Sequence, residues 1–296
     1  MKQVRPKKNL GQHFLTDLNI AKQIADTVDA CPDIPVLEIG PGMGVLTQYL
    51  VPKPREVKVV EIDRESVAYL REHFDKEAPS NLPLEGEALK ERGNERTRER
   101  ENEESDWIIS ADFLRMDLSK VFNGRQFVLT GNYPYDISSQ IFFKMLDNKD
   151  LIPCCTGMIQ REVAQRMASQ PGNKQYGILA VLIQAWYDVE YLFTVDEHVF
   201  NPPPKVKSAV IRMTRNHVNE LGCDENLFKR LVKTVFNQRR KMLRVSLRQM
   251  FTQGKPREGF YEQEMMTKRP EQLTIPQFVA LTNIVSEELE YLEKNA

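Results

Sequence analysis

The sequence of 296 residues has almost no net charge, few cysteines and no apolar run of membrane-spanning length. Its 41 basic residues nearly balance its 42 acidic ones, which gives a formal net charge of −1. Any surface that binds nucleic acid must therefore come from local clustering of basic side chains. The basic start of the chain lacks the apolar segment of a secretory signal. These absences predict a cytoplasmic protein that does not associate with a membrane.

The cysteines have no spacing that is typical of a metal site. They are Cys31, Cys154, Cys155 and Cys223. None belongs to a CxxC pair, and the two adjacent cysteines are poorly placed to bond to each other. We therefore expect reduced, mostly buried thiols and no bound metal.

Changes in composition along the chain predict two domains. Residues 1–215 alternate between strand and helix patterns and begin with a basic arm at 1–12. The stretch at about 76–105 is densely charged and nearly free of apolar side chains, so we expect a mobile insertion there. After a polar linker, residues 216–296 carry only helical patterns.

A glycine-rich motif follows the first buried strand pattern. Residues 36–39 lead into Gly40-Pro41-Gly42-Met43-Gly44. These glycines let the backbone approach a ligand closely and turn into a helix. The next strand ends at Glu61, about twenty residues beyond the first glycine, where a carboxylate can bind both hydroxyls of a ribose. A GxGxG motif followed by this acid is typical of S-adenosylmethionine-dependent methyltransferases.

A second motif, Asn132-Tyr133-Pro134-Tyr135, follows an apolar strand pattern at 126–130. In open α/β sheets, ligands bind at the carboxyl ends of strands. The Asn132 amide oxygen and the Tyr133 carbonyl can accept the two hydrogens of a planar amine such as that of adenine. Pro134 fixes the backbone beyond them, and Tyr135 can stack on the base. The alternative is an Asx turn with a packing tyrosine.

Three further residues have both a functional and a structural interpretation. His13 can contact a ligand or belong to a partly buried loop. Asp112 follows the third strand pattern, where it can bind an adenine amine or cap a turn. Phe200 precedes Asn201 and three prolines, and this stiff segment can present its ring or hold it in the core. The residues alone leave each choice open.

The C-terminal region contains one strongly basic stretch at residues 238–248. Its cations are Arg239, Arg240, Lys241, Arg244 and Arg248. Because nearly all of its charges have the same sign, it is the best candidate for contacts with RNA phosphates. The alternative is a solvated charged face.

Four motifs in combination resemble the ribosomal RNA adenine N6,N6-dimethyltransferase family. They are KNLGQHFL at 8–15, EIGPG at 38–42, NYPY at 132–135 and FNPPPKVKS at 200–208. The resemblance covers nearly the whole chain apart from the charged insertion. It is closest to the bacterial members that dimethylate two neighbouring adenosines near the 3′ end of small-subunit (16S) RNA, a step in subunit biogenesis.

The resemblance implies a doubly wound, Rossmann-like class I methyltransferase domain of α/β class and a small all-α C-terminal domain. It implies S-adenosylmethionine as the cofactor, with contacts from His13, Leu15, Gly40, Gly42, Glu61, Asp112 and Asn132. It also implies that Tyr135 and Phe200 hold the target base between their rings after the base has left its stack. The implied partner is small-subunit RNA within the immature 30S subunit, and we expect a monomer.

The chain departs from the family pattern at three places. His13 stands where many members have asparagine, although both side chains can donate a hydrogen bond. Tyr133 replaces the common leucine, but the proposed chemistry needs only its carbonyl. The charged insertion between Glu61 and Asp112 is unusually long, which affects the nearby surface and leaves the motifs intact.

Two other functions fit part of the pattern. One is a large-subunit ribosomal RNA adenine methyltransferase of the kind that gives macrolide resistance. The other is a ribosome-assembly protein that binds RNA and is mainly non-catalytic. The complete set of Gly40, Glu61, Asp112 and Asn132 argues against a purely binding role. A DNA adenine methyltransferase fits less well because the chain has no obvious domain for reading DNA sequence.

Overall fold

This computed structural model describes residues 13–74 and 107–295. The predicted basic arm at 1–12 and the predicted charged insertion at about 76–105 lie outside the described residues. The described chain forms two compact units. The first contains residues 13–74, 107–161 and 191–214, and the second contains residues 162–190 and 215–295.

The strands and helices are named here in chain order. The strands are β1 Phe14–Leu15, β2 Val36–Ile39, β3 Val57–Glu61, β4 Ile108–Ser110, β5 Val128–Gly131, β6 Cys154–Gln160, β7 Tyr187–Val195, β8 Phe200–Asn201 and β9 Ser208–Arg215. The helices are α1 Leu18–Asp26, α2 Thr47–Leu50, α3 Arg64–Phe74, α4 Ser138–Asp147, α5 Arg161–Met167, α6 Ile178–Gln184, α7 Glu225–Asn237, α8 Leu243–Ser246 and α9 Ile275–Lys294.

The main sheet has the order β4-β3-β2-β5-β6-β9-β7. The pairs from β4 through β6 are parallel, and β9 runs antiparallel to β6. The chain fills one side of β2 first, with β3 and β4, and then crosses to place β5 on the other side. The order therefore reverses between β2 and β5, and a ligand crevice forms at the carboxyl ends of strands at such a point. The predicted doubly wound α/β fold is confirmed.

Helices and strands occur where local sequence patterns predict them. The Asp17 side chain caps α1 by accepting hydrogen bonds from Asn19 N and Ile20 N at 2.9 and 3.1 Å. The apolar face of α1 is buried through Ala21 and Ile24. Strand β2 is buried along its whole length, as expected for a central parallel strand covered on both faces.

A second sheet consists of two very short strands, β1 and β8, which are far apart in the sequence of the first unit. In this antiparallel pair, Phe14 lies opposite Asn201 and Leu15 lies opposite Phe200. Two bonds to the Val199 carbonyl extend the pair, from Thr16 N at 2.8 Å and from Thr16 Oγ1 at 2.9 Å. The pair fixes residues 13–15 against the first unit.

The second unit is mostly helical. Its long helices α7 and α9 are preceded by the N-cap residues Asp224 and Thr274, whose side chains accept hydrogen bonds from backbone N–H groups of the first turn. Residues 162–190 belong to the same unit, with Trp186 packed edge-on against Phe228 at a centroid distance of 6.0 Å. The two units therefore differ from the domains predicted by one boundary after residue 215, because residues 162–190 belong to the second unit. The apolar pattern of a segment does not show which unit packs against it. Among the described residues, no helix is long and apolar enough to cross a membrane.

The cysteines differ from the prediction that all four are reduced. Cys31 and Cys154 form a disulfide with a Cα–Cα distance of 5.9 Å, across a sequence separation of 123 residues. Both are buried in the core between α1 and the sheet. Cys155 and Cys223 are free thiols. The prediction used spacing along the chain, and spacing does not show that the fold brings two distant cysteines together.

Strands β5 and β6 approach each other closely where Gly157 faces Gly131. A Cβ atom at Gly157 would lie 2.4 Å from the Gly131 carbonyl oxygen and 2.7 Å from Tyr133 Cε2, and the residue has φ of +145°. We predict that Gly157→Ala lowers the free energy of unfolding by about 1–3 kcal/mol, because backbone atoms must move. Chemical denaturation measures this change.

The matched control is Gly124→Ala. Gly124 also has a positive φ, of +78°, but nothing lies within 4 Å of its added Cβ. The control therefore carries backbone strain without a clash. Equal losses of stability in the two variants would contradict the argument from close approach.

Candidate active site

A cavity of about 260 Å³ lies at the carboxyl ends of β2, β3, β4 and β5. Ten of the predicted site residues line it, namely His13, Leu15, Gly40, Gly42, Glu61, Asp112, Asn132, Tyr133, Pro134 and Tyr135. These residues are spread over more than a hundred positions of the sequence. The reversal of strand order between β2 and β5 brings them together.

The glycine loop and Glu61 are joined by a hydrogen bond. The Glu61 carboxylate accepts bonds from Gly42 N at 3.1 Å and from Asp63 N at 2.9 Å. Gly42 has φ of +57°, and a Cβ there would lie 3.1 Å from the ring of Phe14. Burial raises the pKa of Glu61, while the backbone bonds favour its ionised form. A carboxylate can accept further bonds on its remaining lone pairs, as contact with two ribose hydroxyls requires.

Glu38 also lines this cavity, although the sequence analysis assigned it no role. It lies on β2 and is only 1% exposed. The Thr47 hydroxyl donates to its Oε2 at 2.7 Å. Burial raises the pKa of Glu38 to about 8, the Thr47 bond opposes this shift, and the nearby Glu61 adds to it. A charged residue between two apolar ones in a buried strand was the available sequence signal.

Asp112 caps a turn and also lines the cavity, so both interpretations of its sequence position remain in use. It follows β4, and its Oδ1 accepts a bond from Leu114 N at 2.9 Å, which caps the 3₁₀ turn Phe113–Arg115. Its Oδ2 lies 3.4 Å from Arg115 Nε in an exposed ion pair. The residue still lines the cavity, so the capping geometry holds a carboxylate at the edge of the site.

The Asn132–Tyr133 segment is held against β6 and against the start of the described chain. Tyr133 N donates to the Met158 carbonyl at 3.0 Å, and Asn132 Nδ2 donates to the His13 carbonyl at 3.3 Å. The second bond orients the amide so that Oδ1 is its end available to accept. The Tyr133 ring is fully buried, and its hydroxyl donates to the Thr156 carbonyl at 2.8 Å. Burial raises the pKa of Tyr133 well above its usual value.

His13 and Tyr135 form an aromatic pair at the cavity. Their ring centroids are 5.7 Å apart, with an angle of 30° between the planes. His13 Nδ1 donates to the Pro202 carbonyl at 2.8 Å, and the Tyr135 hydroxyl is hydrogen-bonded to Ser208 Oγ. Burial raises the pKa of Tyr135. Each ring is therefore oriented by one bond to residues 200–208, the segment that the sequence analysis singled out.

Phe200 does not line this cavity, and its predicted contact with the target base stays a prediction. The side chain is only 4% exposed and packs in the core of the first unit with Leu15 and Ile24. The β1–β8 pair sets this position by placing Phe200 opposite Leu15. The stiff proline segment thus holds the ring in the core, which was the other interpretation of the sequence.

The basic stretch at 238–248 lies in the second unit and consists of a turn followed by the short helix α8. Leu243 and Leu247 are buried and anchor it. Arg239 is half-buried and donates to the Asn173 carbonyl at 3.2 Å. The remaining cations, Arg240, Lys241, Arg244 and Arg248, are exposed. The stretch therefore presents positive charge to solvent on an apolar base.

One group of potential metal-ligating residues occurs among the described residues, at Asp196, Glu197 and His198. Asp196 is already bound to Lys207, whose Nζ lies 2.8 Å from its carboxylate. Since Asp196 already has Lys207 as a cationic partner, the group supports no metal assignment.

The class of the protein follows from the chemistry of the cavity. Its lining includes close backbone contact at a glycine loop and several carboxyl groups, and no lysine or arginine among the residues that the structure describes. This donor set suits a cofactor that has a ribose and a positive charge but no phosphates. The chain is a Rossmann-like class I methyltransferase that uses S-adenosylmethionine. The sequence profile of the ribosomal RNA adenine dimethylase family matches residues 3–286, and this chain belongs to that family.

Similar proteins cover almost the whole chain. The ribosomal RNA small subunit methyltransferase A of Bacteroides thetaiotaomicron is 62% identical over 289 residues, which are 98% of this chain and 97% of that protein. The protein of the same name from Flavobacterium johnsoniae is 49% identical over 282 residues, which are 95% of this chain and 96% of that protein.

Two solved structures show the same fold. A dimethyladenosine transferase from Plasmodium falciparum has a TM-score of 0.70 at 22% identity, with 95% of this chain and 98% of that chain covered. The 23S rRNA methyltransferase ErmE has a TM-score of 0.59 at 24% identity, with 92% of this chain and 99% of that chain covered. At these identities the likeness concerns the fold alone.

The buried position of Phe200 can be tested by truncation. We predict that Phe200→Ala lowers the free energy of unfolding by about 3–5 kcal/mol, because it leaves a cavity in the core. The comparison is Phe14→Ala, at a ring that is only partly buried on the opposite strand, and it should cost clearly less. Denaturant unfolding measures both. A loss below about 1 kcal/mol for Phe200→Ala would show that its ring is not held in the core.

Proposed function

We propose that this protein dimethylates the N6 amines of two adjacent adenosines near the 3′ end of small-subunit (16S) ribosomal RNA. The observation that carries the proposal is the Asn132 amide, which is oriented by His13 and lies in one cavity with the glycine loop and Glu61. The names of the relatives from Bacteroides and Flavobacterium support the small subunit as the source of the RNA.

Several cavity residues would hold the cofactor. Glu61 would bind the ribose hydroxyls, and Asp112 would bind the adenine amine. Gly40 and Gly42 offer close backbone approach, and both have a positive φ. His13, Leu15 and Asn132, which also line the cavity, complete the proposed set. When bound, the cofactor supplies an electrophilic methyl group on a sulfonium.

The proposed chemistry uses two acceptors for one amine. The nitrogen of an adenine amine is a weak nucleophile because its lone pair is delocalised into the ring. Asn132 Oδ1 and the Tyr133 carbonyl would accept its two hydrogens and stabilise the positive charge that develops on attack. Because the Asn132 amide and the Tyr133 backbone are both fixed by hydrogen bonds, little reorganisation is needed.

The target base would stack on Tyr135, with Pro134 holding the backbone that precedes this ring. Base-to-aromatic stacking contributes about 1–3 kcal/mol. Phe200 lies opposite Leu15 in the β1–β8 pair and so helps to keep His13 and Leu15 at the cavity, and its contact with the base remains part of the proposal. We assign no general base, because the nitrogen becomes acidic only after it carries the new methyl and its proton can then pass to water.

The RNA would meet the basic stretch of the second unit. Arg240, Lys241, Arg244 and Arg248 are exposed and can bind phosphates, and Arg239 supports the turn that carries the first two. The proposed partner is small-subunit RNA within the immature 30S subunit. The proposal includes a monomeric protein that acts in the cytoplasm without membrane contact. The fold shared with ErmE does not by itself favour a large-subunit substrate.

The central prediction concerns Asn132. Methyl transfer from labelled S-adenosylmethionine to small subunits that lack adenosine dimethylation should give two methyls on each of two adjacent adenosines by RNA mass mapping. Asn132→Ala should lower the rate by roughly 10²–10³-fold, because one preorganised acceptor is lost.

Asn148→Ala is the matched control, because that amide donates to Lys144 at the end of α4, outside the cavity. It should leave transfer unchanged. Cofactor binding by calorimetry accompanies both assays. Full activity of Asn132→Ala would remove Asn132 from the mechanism, and transfer only to large subunits would refute the proposed substrate.

The RNA surface makes a separate prediction. Changing Arg240, Lys241 and Arg244 to glutamine should weaken binding to small subunits and flatten the dependence of log Kd on log salt by about 0.7–0.9 per lost phosphate contact. The control triple is Lys22, Lys120 and Lys294, which are exposed cations in local ion pairs. If both triple variants change the slope equally, the effect is one of overall charge and the proposed surface is wrong.

A further inference from the structure

Glu38 is a cavity residue that the proposed mechanism does not use. Its side chain is buried at the carboxyl half of β2, and its Oε2 accepts the Thr47 hydroxyl at 2.7 Å. Thr47 is itself fully buried at the start of α2, so no solvent reaches this bond from the helix side. A buried acid held by one neutral donor, in the wall of a ligand cavity, suggests a role in ligand recognition.

The residues that line the cavity with Glu38 carry acidic groups, tyrosine hydroxyls and one imidazole. The titratable residues of the cavity are His13, Glu38, Glu61, Asp112, Tyr133, Tyr135 and Asp136. Glu61 on the neighbouring strand β3 is the one whose charge raises the pKa of Glu38. Among the described residues that line the cavity, none is a lysine or arginine. Apart from the His13 imidazole, whose Nδ1 donates to the Pro202 carbonyl, no side chain that can be cationic lines the described cavity, so a permanent positive charge near Glu38 must come with the ligand.

The protonation state of Glu38 depends on that ligand. Burial raises its pKa to about 8, so near neutral pH the carboxyl is mostly protonated in the free protein. A positive charge placed nearby favours the ionised form and lowers this pKa. Binding of a cation then releases a proton from Glu38 to solvent, whereas binding of a neutral group releases none.

We propose that Glu38 makes the cavity selective for charge: it favours the sulfonium cofactor over the neutral thioether that remains after methyl transfer. The inference rests on the proposed placement of the cofactor in this cavity. The two ligands share their adenine, ribose and amino-acid portions, so contacts from Glu61 or Asp112 do not depend on which one is present. They differ by one methyl group and one positive charge at sulfur. A buried carboxyl distinguishes that charge because electrostatic interactions are strong away from water.

This selectivity bears on turnover. Dimethylation of adjacent adenosines requires repeated exchange of product for fresh cofactor. Transfer of the methyl removes the charge at sulfur, so Glu38 takes a proton back from solvent and loses its electrostatic interaction with the product. Release of the product and binding of the next cofactor are then favoured by the same residue.

The test measures the affinities of S-adenosylmethionine and S-adenosylhomocysteine by calorimetry at pH 7, 8 and 9. In the wild type, the preference for the sulfonium ligand should rise by about tenfold between pH 7 and pH 9, as the fraction of ionised Glu38 in the free protein rises. Glu38→Gln should remove this Glu38-dependent rise. It provides the baseline, because the amino groups of the ligands also titrate.

Proton release gives a second readout. Titrations at pH 7 in two buffers of different ionisation enthalpy should show that the wild type releases about one more proton than Glu38→Gln when it binds the sulfonium ligand. Thr47→Val removes the donor that favours the ionised form and should shift the midpoint of the pH dependence upward. If Glu38 had a purely structural role, Thr47→Val would leave the midpoint of the pH dependence unchanged. Thr47→Val also tests the proposal if Glu38→Gln is too unstable to measure.

Two further variants separate the possible failures. Glu56→Gln changes a buried acid that is paired with Arg125 outside the cavity, and it should keep the wild-type pH dependence. Asp112→Ala should weaken both ligands alike, through the shared adenine. If Asp112→Ala has no effect on either ligand, the proposed cofactor site is wrong. If it acts as expected and Glu38→Gln keeps the wild-type preference and proton release, the charge selectivity of Glu38 is refuted.

Discussion

The hydrogen bond from Tyr133 N to the Met158 carbonyl, at 3.0 Å, is the contact on which the site depends. It continues the β5–β6 pairing beyond the end of β5, where Asn132 forms a parallel bridge with Met158. The Tyr133 ring is buried, with its hydroxyl bonded to the Thr156 carbonyl. Because these bonds to β6 fix the backbone, the Asn132 amide and the Tyr133 carbonyl remain in position at the cavity. Leucine at this position would fill the core but could not form the hydroxyl bond, so the family departure adds a constraint here.

The cavity concentrates buried carboxyl groups, which is costly for a fold. Glu61 offsets part of this cost by accepting two backbone N–H bonds, whereas Glu38 has a single hydroxyl donor and remains mostly protonated near neutral pH. A fold that needed only stability would place apolar side chains at these positions. The arrangement suits the binding of a positively charged ligand.

The proposed active site also depends on contacts between distant parts of the chain. His13 orients the Asn132 amide through its backbone carbonyl and packs its ring on Tyr135, although more than a hundred residues separate it from both. Its own position depends on Pro202 and on the β1–β8 pair. This pair also explains the burial of Phe200. The stretch at 200–208 therefore contributes to the cavity through scaffolding contacts, including the bond from Ser208 to Tyr135.

Local sequence determined the elements and most of the cavity. Strand patterns, the glycine loop and caps such as Asp17 depend on neighbours within a few residues, so their structures could be read from the chain. Carboxyl ends of parallel strands meet at one edge, so Glu61, Asp112 and Asn132 could be expected to converge. Tertiary structure alone decided the burial of Phe200, the Cys31–Cys154 bond, the role open to Glu38 and the grouping of residues 162–190. Each of these depends on which parts of the chain pack against a residue. Spacing along the sequence does not show this, because burial is set by the packing of distant segments.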